Sequence, residues 1–296
     1  MASLKRKTLY AVTIAVLLTM TTGCASMVRT GVRAGLAIGH PVMEDIETSI
    51  FQQQNLELAK AGLPGTIMLV EGLLETSPDD PLLLTLTAKA YIALGFMIED
   101  ESPAQATALY SRATECGIAA LKHHRRFRNA LKDGSSVAEA AKTVKSKKFL
   151  PALMWTATGM GANVLLNVGD PMIAVDLGNV DALVKQVNQI DSNYFYGFAH
   201  MFMGITNSML PAAFGGDKDR AKKEFETVFK MNDGKFLLPT FFFVKFYLTD
   251  EDTQLKTLRK VIDAPDGLMP DIALMNQIAK AKARYYLKEK GELVDE

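Results

Sequence analysis

Two cysteines, four histidines and one tryptophan are all that 296 residues contain of those types, and each scarcity removes an option. Cys24 and Cys116 stand in no Cys-x-x-Cys or Cys/His spacing, so zinc has no ligand set. His40, His123, His124 and His200 are too few and too scattered for a metal cluster. No HExxH, GxSxG or GxxxxGK[ST] pattern occurs, and no Cys/His pair has an orienting acid, so no catalytic residue, metal ligand or cofactor is expected. Period-two alternation is equally scarce; the one β-rich run is Phe241–Val244. Charge of one sign is lacking too, with 33 basic and 33 acidic residues. That balance does not suggest a nucleic-acid binder.

What is present begins with an address. Lys5, Arg6 and Lys7 precede an apolar stretch, Leu9 to Leu18, too short for a comfortable membrane span. Thr21-Thr22-Gly23-Cys24-Ala25 follows, a small residue before a cysteine, which reads as a bacterial lipoprotein processing site. An ordinary secretory signal with Cys24 incidental is the other reading. On the first, residues 1–23 are a signal peptide, Cys24 carries lipid, and residues 24–44 form anchor and tether. The remaining chain holds 30 basic and 33 acidic residues, a net charge of −3, and cannot form an intrachain disulfide. Ala25 after the cysteine favours the outer membrane over the inner.

Gly31, Gly35 and Gly39 punctuate the stretch after the anchor, and from Pro41 onward the apolar spacing is helical. The spacing predicts an all-α fold with divergent tetratricopeptide-like helix pairs over residues 45–290 and a tail at 291–296. Pro78 fits the close of one repeat, with Val70 and Leu73 before it and Leu84, Ala88 and Tyr91 in phase after it. Ala221, Phe225 and Val228 fit a later second helix, Asp233 taking the place of the closing proline; Ser192 closes the unit before, 41 residues earlier. Pro151 to Asn167 reads as a helix, stopped by Gly169-Asp170-Pro171. Asp217 caps the helix of Arg220 to Met231, and Gly234 ends it. Leu255 to Val261 and Asp271 to Lys288 are two more helices.

Several of these elements also carry a family likeness. Ala152-Leu153-Met154-Trp155 with Gly161-Ala162, Asn167 and Asp170-Pro171 is one; Tyr196-Gly197-Phe198-Ala199-His200 with Gly204 is another. Pro211 followed by Gly215-Gly216-Asp217, Ala221 with Phe225, and Gly234-Lys235-Phe236-Leu237-Leu238 complete the set. Over roughly residues 45–290 the chain resembles the TRAP-transporter-associated tetratricopeptide lipoproteins, the TatT or T-component family. The resemblance implies a bundle or short solenoid of about a dozen helices, in a periplasmic accessory protein with a channel through the protomer and a possible homotrimer. It also implies docking of a substrate-binding protein whose transporter imports organic acids.

Candidate residues follow, each with its blander alternative. Thr156, Met160, Asn163 and Asn167 share one helix face, beside Trp155 on the apolar face; this is a channel-lining stripe or an ordinary solvated face. His200 and Asn207 repeat the pattern on the next helix, where a lone histidine is more often a hydrogen-bonded core residue. Lys235 beside Phe236 could engage a carboxylate or simply snorkel. Residues 122–148 carry nine bases against two acids, among them Arg125, Arg126, Arg128, Lys147 and Lys148. They form a docking face for an acidic partner or lipid headgroups, or else a solvated loop and helix ends. The expected function is binding: docking a substrate-binding protein, with shelter for a hydrophobic or carboxylate-bearing solute. The alternative is an envelope scaffold with no small-molecule ligand.

Overall fold

In the computed structural model, residues 41–167, 173–212 and 215–293 are described. Among them are thirteen α-helices and no strand, so the all-α expectation holds. The expected lipid site Cys24, the signal peptide, most of the tether and the Gly169–Pro171 stop lie outside the described residues.

The helices are α1 (41–51), α2 (Leu56–Thr76), α3 (Pro81–Ile98) and α4 (Pro103–Leu121). A short insertion follows, α5 (Arg125–Lys132), α6 (Val137–Ala141) and a 3-10 turn at Lys147–Phe149. Then come α7 (Leu150–Leu166), α8 (Ile173–Ile190), α9 (Tyr194–Met209) and α10 (Lys218–Met231). The chain finishes with α11 (Leu237–Phe246), α12 (Glu251–Asp263) and α13 (Ala273–Glu289).

Local chemistry explains most boundaries. Asp80 caps α3, its carboxylate accepting from the Leu82 and Leu83 N–H groups, with Pro81 at the first helical position. Asp217 caps α10 by accepting from Arg220 N–H at 2.9 Å. That helix ends where Gly234, at φ +69°, donates its N–H to Phe229 O. The run Phe241–Val244 is helical rather than extended, inside α11. Its side chains pack against α13 and α9, and burial of aromatic area outweighs their intrinsic β preference.

Sequential helices lie side by side: α2 on α3, α3 on α4, α7 on α8, α9 on α10, α12 on α13. The α5–α6 insertion leaves α4 to pack on α7, with α6 resting on α8. The α4–α7 crossing is tight, since a Cβ on Gly159 would lie 3.1 Å from the Tyr110 carbonyl oxygen. α3 and the stretch Lys147–Leu166 are long and apolar enough to cross a membrane, but 78% and 72% of their windows are buried inside the protein. They are core helices. The last helix returns to the beginning: α13 touches α2 and α3 as well as α11 and α12.

That return is fastened by buried ions. The Lys282 side chain is 2% exposed, and its ammonium pairs with Glu99 and, at 3.0 Å, with Asp100. Tyr110 donates its hydroxyl to Glu99. Burial is the first cause that pushes the Tyr110 phenol well above its ordinary range, and the Glu99 charge is the next. Lys245 of α11 lies close by; burial, then the Lys282 charge, holds its ammonium below the usual lysine range.

Candidate functional site

The α3 sequence, PLLLTLTAKAYIALGFMI, contains a single charge, Lys89. Burying an ammonium in such a helix requires a partner. Glu47 of α1 supplies it as an ion pair, with the Lys89 and Glu47 side chains only 13% and 23% exposed. The pair stands at one edge of an apolar cleft walled by Ile46, Ile50 and Phe51 of α1, Val70 of α2, and Leu86 and Ala93 of α3. The cleft measures about 40 Å³, room for about three waters or a short aliphatic chain.

Beneath it lies an aromatic floor. Lys89 Nζ is 5.8 Å from the Trp155 ring centroid, a cation–π distance. Trp155 packs on Phe51 at 5.9 Å and on Phe195 at 5.1 Å; Phe195 touches Phe198 at 5.5 Å. Trp155 is wholly buried, yet its indole N–H meets no acceptor at hydrogen-bonding geometry. The Tyr194 hydroxyl is its near neighbour; burial first, then the Glu47 charge, pushes that phenol above its ordinary range, and the indole N–H opposes this. Glu47 and Lys89 thus stand at the cleft itself, while the Trp155 ring lies against Lys89 and the Tyr194 phenol feels the Glu47 charge.

The backbone under this floor is unusual. Phe195, Tyr196 and Gly197 hold φ of 46°, 59° and 76°, three left-handed residues in succession. For the two non-glycine residues that conformation costs about 1–2 kcal/mol each. Asn232 Nδ2 donates to Tyr196 O at 2.8 Å, and the Tyr196 hydroxyl reaches Asp271 at 3.3 Å. The ring contacts of Phe195 hold the turn from the other side.

The six residues expected to line a channel are not brought to one wall, and none of them lines this cleft. Trp155 lies beneath it. Asn163 and Asn167 are half-buried and bonded to each other, Asn167 Nδ2 to Asn163 Oδ1 at 2.9 Å, and they turn toward Thr107 of α4. His200 is buried against α10, with Nδ1 at 2.6 Å from Glu224 and Nε2 unpartnered. Asn207 donates to Met203 O on its own helix at 2.7 Å. Lys235 is exposed beside Asp233 at 3.5 Å. Neighbouring helices claim the faces that spacing alone had grouped. Glu47, Lys89, Phe51 and Phe195 were not expected; the lone lysine inside an apolar eighteen-residue helix was the available signal.

The basic residues form a second feature. His124 stacks edge-on against Phe149 at 5.2 Å, joining the start of α5 to the 3-10 turn. Arg125, Arg126 and Lys145 are exposed around the shallow groove this makes, and Lys147 and Lys148 adjoin it. Lys147 pairs with Asp191 at 3.0 Å, and Arg128 donates to Lys122 O. Among the described residues no acid pairs with Arg125, Arg126, Lys145 or Lys148. His124 Nδ1 accepts from Phe127 N–H at 3.3 Å as the cap of α5, and burial, aided by Arg126, keeps its imidazole below the usual 6.5.

Comparison with curated proteins gives no significant match. The family description "TRAP transporter T-component" matches residues 52–294, from the end of α1 through α13. With most of its length covered by that match, the chain belongs to the TRAP transporter T-component family and is an accessory component of such a transporter.

Proposed function

We propose that this protein is held in the periplasm by lipid on Cys24, at the outer membrane, and receives the substrate-binding protein of its transporter. Docking falls to the face formed by Arg125, Arg126, Arg128, Lys147 and Lys148. Four exposed cations in or beside that groove, Arg125, Arg126, Lys145 and Lys148, lack an acidic partner among the described residues, and such a cluster steers an acidic partner and sets its register. The α1–α3 cleft shelters the solute. Its apolar walls suit a short aliphatic chain, and Lys89 suits a carboxylate head. The observation that carries this reading is the half-buried Lys89–Glu47 ion pair at the edge of an apolar cleft, Lys89 being the only charge of α3.

Trp155 is the single tryptophan, so its fluorescence reports on the site without labelling. Titration with a short-chain monocarboxylate is expected to give a saturable change, which Lys89→Met weakens by about tenfold. Absence of any saturable change up to about 10 mM, beyond a weak Kd, would defeat the solute role. For docking, the delipidated protein is mixed with the substrate-binding protein of its transporter. Binding tighter than about 100 μM is expected, weakened by salt and by Arg125→Glu with Arg126→Glu. Lack of binding by the unaltered protein would turn the reading to an envelope scaffold. The asparagines of this region, Asn163, Asn167 and Asn207, are satisfied within the protein, which favours that second reading for their part of the fold.

A further inference from the structure

Lys89 already holds a carboxylate. Among the described residues that line the cleft it is the only cation, and Glu47, its partner, is the only acid. A second carboxylate on that ammonium would leave a net negative charge out of water, which is unfavourable. One acid must therefore leave before another arrives. The two members of the pair are held very differently. Lys89 stands in α3 between the buried runs 83–88 and 91–96, with its ammonium against the wholly buried Trp155 ring of α7. The core fixes its position. Glu47 rides on α1, where Phe51 alone of eleven residues is buried, Met43, Glu47 and Ile50 are half-buried, and seven are exposed. A helix with so little buried apolar surface opens more readily than the rest of a fold.

We propose that α1 is a lid on the cleft, latched by Glu47 and released when a solute carboxylate takes the place of Glu47 on Lys89; this rests on the cleft's being the solute site. The C-terminal end of α1 supplies the pivot. Phe51 packs on Trp155 at 5.9 Å and on Phe195 at 5.6 Å. Gln52 Nε2 reaches Asp271 at 3.4 Å, the same carboxylate that the Tyr196 hydroxyl touches. Residues 53–55 are not helical, and Asn55 then caps α2. A short link of this kind can absorb the dihedral change of a swinging helix. Toward the free end, Met43 rests against Val70 and Leu83, and Glu47 is the one ionic fastening from α1 to the cleft.

The exchange balances in charge. Lys89 keeps one carboxylate and its seat over the indole ring, while Glu47 passes from a half-buried position into water, where its charge needs no partner. Little apolar burial is lost, because Ile46 is already 41% exposed and Phe51 stays at the pivot. An aliphatic chain entering from outside covers Val70, Leu86 and Ala93, the walls that α1 uncovers. The latch also makes a charge the condition of entry. A ligand shifts an equilibrium only by its differential affinity for the two states. An uncharged molecule of the same shape has nothing to offer Lys89 in place of Glu47, so it leaves the lid shut.

The test follows amide exchange in α1 together with Trp155 fluorescence, with butanoate and butanamide as probes on the full chain. Butanoate at a concentration that saturates the fluorescence change is expected to speed exchange across α1 by at least about tenfold while α13 is unchanged. Butanamide is expected to leave α1 as it was. Glu47→Gln should show the fast α1 exchange with no probe present, and should bind butanoate about tenfold more tightly, since no latch has to be displaced. The two probes on the unaltered protein decide the matter if that variant does not fold. Slower α1 exchange with butanoate, opening by butanamide as well, or butanoate binding that Glu47→Gln does not tighten overturns the lid while the solute site stands. A fluorescence response absent from both the unaltered protein and Glu47→Gln defeats the solute site itself, and the lid with it.

Discussion

Two neighbouring regions of the helical stack solve opposite problems. Where α13 meets α3, the protein buries full charges: Lys282 is 2% exposed and Glu99 10%, and the Tyr110 hydroxyl adds a hydrogen bond. At the outer face of α2, the protein exposes what it would normally bury, with Met68 and Leu69 at 73%. Ions without water are tolerated only when each has a partner, and such a cluster sets one arrangement of the surrounding helices at a cost in stability. Exposed apolar side chains without a neighbour have no comparable constraint within the protomer. The first region is finished, and its geometry is fixed by the chain alone. The second is prepared for contact.

The comparison can be broken most forcefully at Lys282. Lys282→Ala leaves Glu99 and Asp100 without their ammonium, and a loss of about 3–5 kcal/mol is expected from the denaturant midpoint. A loss under 1 kcal/mol would mean the ions are solvated and the region is not closed. Tyr110→Phe removes one hydrogen bond to the same carboxylate and should cost about 1.5–3 kcal/mol by the same measurement. On α2 the sign reverses. Gly65→Ala should stabilise by about 0.8–1 kcal/mol, because its methyl meets nothing and the helix gains propensity; a loss of stability by the same measurement would mean that this face is covered.

The smallest effect belongs to His124. Its folded-state imidazole is held below 6.5 by burial and Arg126, so the unfolded chain binds the proton more readily. The stability it contributes is complete above the unfolded value and is lost as pH falls through 6.5 toward the depressed folded value. Protonation also removes the acceptor that caps α5. NMR titration should place His124 below a free histidine, and α5 amides should exchange faster in mild acid while those around Lys282 do not respond. A His124 titration at or above 6.5 would sink this.

What the sequence revealed was local. α7 was legible because Pro151 and apolar periodicity lie within one stretch, and the α10 cap because Asp217 reaches only three residues. The Phe241–Val244 run was ambiguous, since its helical state depends on α9 and α13 far along the chain. Lys282 and Glu99 are 183 residues apart, and no spacing rule connects them. Glu47 and Lys89 are 42 apart across two helices. Asn163 of α7 and Asn167 at its C-cap bond to each other one turn apart, but which neighbour they meet is a tertiary fact. The left-handed turn at Phe195–Gly197 shows only its glycine in the sequence; the two aromatic residues before it give no hint of positive φ.

The seam between α13 and α3 has a bearing on how the polypeptide is made. The acids of the buried cluster, Glu99 and Asp100, emerge early, and their cation Lys282 is among the last fifteen residues. A chain delivered from its N-terminus must wait with half of that cluster unanswered, so the fold cannot be completed progressively as the chain emerges. Long-range closure of this kind slows folding. A message truncated before Lys282 should yield a product that quality-control proteases remove, even though nearly every helix had already been synthesised.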